Sequence, residues 1–408
     1  RAVRVAAWDQ TDWINTVGGV GLAGGGGGGG ALDVNTVVKT VEAVLNGTVT
    51  ADTDVDVSAG SEQNILTASF GGSGTGGGGA AGGGSLLTVK NNTLAVIGRH
   101  ADGDAASAVN AVVLSLGNVR VHASDVTDSV LLAGGAAAAG GKGLGTGVGV
   151  TTFAGTTRAL IDRNARVTAL GQAAPSAFMD GGVSLSIPIL ADLVNDLNDP
   201  RVGTTRAESR MNTLSNDLLA GRARSLDTFK DTLFKKSAGT TPRRGLAVTA
   251  YSDQDIANLS AAGSGTGGVG VAGAIAMTTI VDTVEAKIAE AVQINQHPGG
   301  MTPHADQSVT VQSQGDTSLF NAAGGVTVAG AGAISGAADV ATIARTTRSL
   351  VSTGAQIHTQ GSVRVDADNA VRALSLAASV RGAGGKAVGA SFSSMVSAGT
   401  TEAFIDGL

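Results

Sequence analysis

The sequence predicts an all-β protein: a parallel β-solenoid (β-helix) of Gly/Ala/Val-rich repeats carrying an inserted α-helical segment. Three observations predict it. One unusual composition recurs six times. An alternating strand pattern precedes each recurrence. A single stretch near the middle breaks the pattern with dense charge. Repeats are settled first, because a missed repeat mis-assigns the whole fold.

The recurring stretch is clearest at Ser252–Ile275, SDQDIANLSAAGSGTGGVGVAGAI. It opens polar, passes through apolar and small residues, and dissolves into glycine and alanine. Val269, Val271 and Ile275 then re-emerge. The same plan appears at Asp9–Gly30, Ser61–Gly84, Ser124–Val148, Gln314–Ile334 and Asp366–Gly389.

What flanks each copy fixes the repeat. Just before it stands an alternating pattern centred on Val5, Val57, Val121, Val248, Val311 or Val365, at steps of 52, 64, 127, 63 and 54 residues. The long step marks an insertion. Just after come TVEAVLN (Thr40–Asn46), NTLAVIG (Asn92–Gly98), TRALID (Thr157–Asp162), VEAKIAE (Val284–Glu290), TRSLVS (Thr347–Ser352) and TEAFID (Thr401–Asp406). A more variable pattern follows at Thr48, Val112, Ala165, Gln293 and Gln356. Apolar residues alternating with Thr, Arg, Ser or Asp put one face in and one face out. One repeat therefore reads as strand, glycine-rich segment with one or two strands, strand, strand, and two coils per repeat are expected.

Composition narrows the core. Hydrophobic residues make up 42%, but aromatics only 3%, against 63 glycines. Aromatic side chains bury the largest areas per residue, so a chain that avoids them has a thin interior with backbones close together. A net charge of −6 leaves no footprint for nucleic acid. No apolar run reaches the ~20 residues that span a bilayer. There is no cysteine, which excludes disulfides and thiolate chemistry. The chain starts directly in a strand pattern and stops after its sixth second pattern. It reads as a piece of a longer protein.

Glycine this dense ordinarily signals a flexible linker. Here Val20, Leu22, Leu144, Val148, Val269, Val326 and Val388 punctuate it, between strand patterns at near-constant distance. Stacked strands lie ~4.8 Å apart. Small residues let such a chain turn sharply and let neighbouring sheets approach closely. Stacking also removes open edges except at the two ends.

The exception is Leu185–Ser237, which divides the chain into repeats over 1–184, an insertion over 185–237 and repeats over 238–408. Seven acidic and eight basic residues fall between Ile187 and Lys236. Leu185, Ile189, Leu190, Leu193 and Leu197 recur at helical spacing. Leu214, Leu218, Leu219, Leu226, Phe229, Leu233 and Phe234 do so too. Two or three amphipathic helices are expected, with Lys230, Lys235 and Lys236 on a last turn, where cations suit the helix dipole. Solenoid insertions gather on one face, often the binding face. The candidate partner-contact residues are accordingly Asp196, Arg210, Arg222, Arg224, Lys230, Lys235 and Lys236. The alternative is a decoration that stiffens the rod.

Signals for chemistry are thin, and no catalytic, cofactor-binding or metal residue is expected. His122 and His358 sit in strand patterns and read as surface side chains. His297 and His304 bracket HPGGMTPH beside Asp306, without a recognised ligand spacing. Asp102-Gly103-Asp104 lacks the further oxygens of a calcium loop, and His100 adds none. Gly268–Gly273 matches a dinucleotide fingerprint by chance, since no lysine or βαβ unit accompanies it. A polysaccharide-acting β-helix enzyme is the alternative function, but one Tyr and two Trp offer little to stack on sugars. No hydrophobic hairpin supports a membrane-active toxin.

NVRVHAS (Asn118–Ser124), GDTSLFNAAGGVTVAGAGA (Gly315–Ala333) and NNTLAVIG (Asn91–Gly98) resemble the repeats of very large bacterial surface and secreted proteins, the leukotoxin-type and haemagglutinin-type filamentous adhesins. The resemblance covers most of the chain outside Leu185–Ser237. It implies an extended extracellular rod, an adhesive or structural role and no catalytic residues. The partners it suggests are further copies of the chain, lateral or end-to-end, and a ligand on a host or neighbouring cell.

Overall fold

The computed structural model describes residues 1–99, 111–186, 235–296 and 301–406. The chain divides into two units, Arg1–Phe178 with Pro242–Leu408, and Met179–Thr241.

The large unit is a parallel β-solenoid of six coils. One long sheet stacks β1 (Val3–Ala23), β4 (Val55–Thr75), β7 (Val119–Ala139), β11 (Lys235–Thr266), β14 (Gln307–Ala329) and β17 (Val363–Ala383), in that order. The second long sheet stacks β2 (Gly27–Leu45), β5 (Gly79–Ile97), β8 (Gly143–Ile161), β12 (Val269–Ile288), β15 (Gly332–Val351) and β18 (Lys386–Ile405). A short third sheet stacks β3 (Thr48–Ala51), β6 (Val112–Ser115), β9 (Arg166–Ala169), β13 (Gln293–Ile294) and β16 (Gln356–Ile357). Each strand pairs with its counterpart one coil away, so no hairpin is needed. The smaller unit is described by two strand segments, where β10 (Ser176–Ser186) pairs with β11.

The register follows the sequence anchors. Val5 pairs with Val57, Val57 with Val121, Val121 with Val248, Val248 with Val311 and Val311 with Val365. Two expectations are corrected. A repeat is one coil, not two, because the alternating pattern and the polar opening after it belong to one strand of 21 residues in β1. At ~3.3 Å per residue such a strand is roughly 70 Å long. The glycine-rich stretch is the end of this strand, a short turn and the start of the next. The turns stack as well: Gly76 N donates to Ala23 O at 3.1 Å, and Gly140 N to Thr75 O at 3.0 Å.

The second correction concerns the insertion. Leu185 lies in β10, and Lys235, Lys236 and Ser237 lie in β11, so both described margins are strand rather than helix. The rest of the expected helices lies outside the described residues.

Side-chain size explains the shape of a coil. Beside the short sheet, Val, Ile, Leu and Ala from all three sheets form the widest core, with Leu45, Ile97, Ile161, Ile288 and Val351 stacked in one column. Further along, Ile65, Leu87, Phe153, Ile256, Ile280, Leu319 and Ile343 join the two long sheets. Then only alanines such as Ala262, Ala272 and Ala274 separate them. At the far end the second sheet offers mostly glycine, set against backbone or against small side chains such as Ser264 and Thr266. A Cβ built on Gly145 would stand 2.0 Å from Gly263 O, a distance no real contact shows. The coil tapers from a three-sided core to two backbones in contact, and the glycines are the condition for closing it.

Candidate functional site

A polar seam crosses the interior between the first two core clusters. It is built by the polar openings of the repeats, which face inward from the first long sheet, and by one column of the second sheet, Lys39–Asn91–Gly155–Asp282–Arg345. In the first coil Lys39 Nζ pairs with Asp9. Between coils two and three Asn91 Nδ2 donates to Gln63 Oε1 at 2.6 Å and to Asp125 Oδ1 at 3.2 Å. Between coils four and five Arg345 donates to Asp282 Oδ2 through Nε at 3.1 Å and Nη2 at 2.6 Å. Ser252 Oγ donates to the same oxygen at 2.7 Å. Glycine makes the room: a Cβ on Gly155 would reach Asp282 Oδ1 at 2.5 Å, and one on Gly315 would reach Arg345 Cζ at 3.0 Å. Burial, with the charge of Asp282 adding to it, pushes Asp125 up to about 7. These groups are enclosed by the coils and hydrogen-bonded to one another. Its polar contacts link neighbouring coils in the interior.

The two long sheets present different outer faces. On the first, Asp56 holds Arg120 through two contacts of 2.8 and 3.0 Å, with Arg4 at 3.5 Å. Tyr251, Asp253, Asp255, Gln314 and Asp316 point outward there and are nevertheless buried. Tyr251 Oη donates to Asp253 Oδ2 at 3.0 Å, and burial followed by the nearby aspartates raises its pKa.

The outer face of the second long sheet is open from the column of Gly28 to that of Thr40 and is arranged in columns. Thr36, Thr88, Thr152, Thr279 and Thr342 occupy one register position in five successive coils. Thr40, Asn92, Thr156, Thr283, Thr346 and Thr400 occupy another in all six. Valine, leucine, isoleucine, alanine and glycine fill the columns beside them, and Ile275, Met277, Val281 and Phe392 are exposed. Across the seven columns from that of Gly28 to that of Thr40, Lys90 is the single charged side chain. The next column is charged and pairs along the stack, Arg158 with Glu285 at 2.7 Å and Arg348 with Glu402 at 2.8 Å.

Of the residues singled out for partner contact, Asp196, Arg210, Arg222, Arg224 and Lys230 lie outside the described residues. Lys235 and Lys236 lie in β11 rather than on a helical turn. His122 is not the surface side chain its strand pattern suggests. It is half-buried, its Nδ1 is 2.8 Å from Thr249 Oγ1, and burial followed by the Arg120 charge lowers its pKa to about 4. His358 is exposed just past β16. His304 Nδ1 accepts from the Asp306 backbone at 3.1 Å, while His100, Asp102, Asp104 and His297 lie outside the described residues. No group of three or more metal-ligating residues converges among the described residues. A cleft of about 380 Å³ touches Pro175, Arg243, Arg244 and Asp306. Arg244 Nη1 there donates to the carbonyls of Gly171 and Ala173.

Sequence reasoning passed over the seam and the threonine columns. Both become visible when the repeats are written one above another on their valine anchors.

The fold and faces define the class: a parallel β-solenoid repeat protein. No family model, curated protein or solved structure matches the chain.

Proposed function

We propose that the chain is a rigid, non-catalytic section of a very large bacterial cell-surface or secreted fibrous protein, a rod serving adhesion or a self-assembled extracellular filament or sheath. One observation supports this most. Coils one and two alone pair over 21 residues in the first sheet and 19 in the second, and the pairing continues without a bulge through six coils. The long strands of each coil pair with those of the neighbouring coils, so stability grows with coil number and the stack resists bending as a unit. The interior is filled by side chains and closely packed backbone, which suits a spacer.

Electron microscopy of the protein taken from its native source tests the reading. Slender rods or uniform fibres are expected, and compact globular particles would sink it. Release of reducing ends from polysaccharides would favour the β-helix enzyme instead.

A further inference from the structure

We infer that the outer face of the second long sheet is a lateral interface through which two copies of this chain pack face to face. The inference rests on the rod reading and names the partner of its flat side.

Size comes first. Seven columns spaced two residues apart and six strands cover roughly 46 Å by 29 Å, about 1,300 Å². A stable protein–protein interface needs about 800 Å² per partner. The face therefore suffices without help from the rest of the rod.

Chemistry comes second. An interface core is depleted of charge, and its rim is polar and wet. The seven columns carry Lys90 alone, and the adjoining column of Glu42, Arg158, Glu285, Arg348 and Glu402 forms a charged border. Two of its ion pairs close within the chain, so the border makes no demand on a partner. Threonine packs like other β-branched residues on a pleated surface, and its hydroxyl both donates and accepts. Apart from Lys90, which stands two columns from the charged border, two such faces can meet at ~10 Å without stranding a buried charge.

Relief comes third. The column Gly30–Gly82–Thr146–Gly273–Gly336–Ala390 is a trough. On one side stand Leu144, Val271, Ile334 and Val388, and on the other Leu32, Val148, Ile275 and Phe392. A ridge of an identical face fits such a trough. Phe392 is the one aromatic on the patch, too little for a sugar-stacking surface, and the absence of a basic field disfavours nucleic acid.

Sedimentation of the intact 408-residue chain tests this. Met277 is at the centre of the patch, with Val150 beside it one coil away. The chain should sediment at twice its mass, and Met277→Lys or Val150→Lys should weaken association by more than about tenfold with the circular dichroism unchanged. The chain has no cysteine. Met277→Cys should therefore give a dimer with a short bis-maleimide, and Ala6→Cys on the other long sheet should not. A concentration-independent monomer, association indifferent to both lysine variants, or cross-linking from Ala6→Cys alone overturns the inference. Monomers seen as single slender rods would end lateral packing and leave the rod reading intact. Compact particles would end the rod reading itself.

Discussion

Arg345 Nη2 lies 2.6 Å from Asp282 Oδ2, and neither side chain is reached by solvent. The pair ties coil four to coil five along one column of the second long sheet. Ionic groups this deep are stable only while each has the other.

Arg345→Met is therefore expected to destabilise the chain by ~3–5 kcal/mol, because Asp282 is left charged and buried. Adding Asp282→Asn should restore most of the loss. Denaturant unfolding of the two variants beside the parent checks both statements. Equal losses in the single and double variants would refute the uncompensated-charge account.

Asp125 gives the interior a pH dependence. Its pKa rises from 3.8 to about 7, chiefly through burial. The folded state then holds a proton that the unfolded state releases near pH 4. The stabilisation is full below about 3.8 and is lost as pH rises through about 7. Asp125→Asn should hence gain stability over the parent at pH 8, on the order of a few kcal/mol, and little or none at pH 4. Unfolding midpoints across that range decide it.

Two glycines from the same kind of stretch should behave oppositely. A Cβ on Gly145 meets Gly263 O at 2.0 Å and Gly135 O at 2.9 Å, whereas one on Gly273 meets nothing within 4 Å. Gly145→Ala must push the sheets apart and should cost ~1–3 kcal/mol or more. Gly273→Ala faces outward and should stabilise by roughly 0.5–1 kcal/mol through reduced chain entropy. Paired thermal melts suffice as the check.

The corner after the second long sheet requires a left-handed residue. Asn164, Ala291 and Gly354 occupy it in three successive coils with φ of 59°, 54° and 74°. Alanine is the least suited of the three. Ala291→Gly should raise stability by about 1 kcal/mol, against the usual effect of glycine. A lower melting temperature would contradict the strain.

The coil spacing was legible because every coil repeats the same inward valines, and Val5 through Val365 stack as their numbers indicate. Strand length was not. Glycine carries no periodicity, so the far ends of β1 and β2 looked like separate short segments. The seam was hidden for a related reason. Asp125 and Gln254 belong to the polar openings of their repeats, and the opposite sheet, with Asn91 and Asp282, shows them to be interior. The threonine columns needed alignment across coils, since one threonine in a strand is unremarkable. Charge density and helical spacing pointed to helices ending at Lys236, yet β11 already begins at Lys235.

The step of 127 residues from Val121 to Val248 breaks no ladder: Val121 and Val248 still face each other, as do Ala139 and Thr266. A stretch of sequence departs after one coil and returns to the next without costing a backbone bond between them. The ladder between coils three and four is therefore set by the register of its strands and not by the length of chain that joins them.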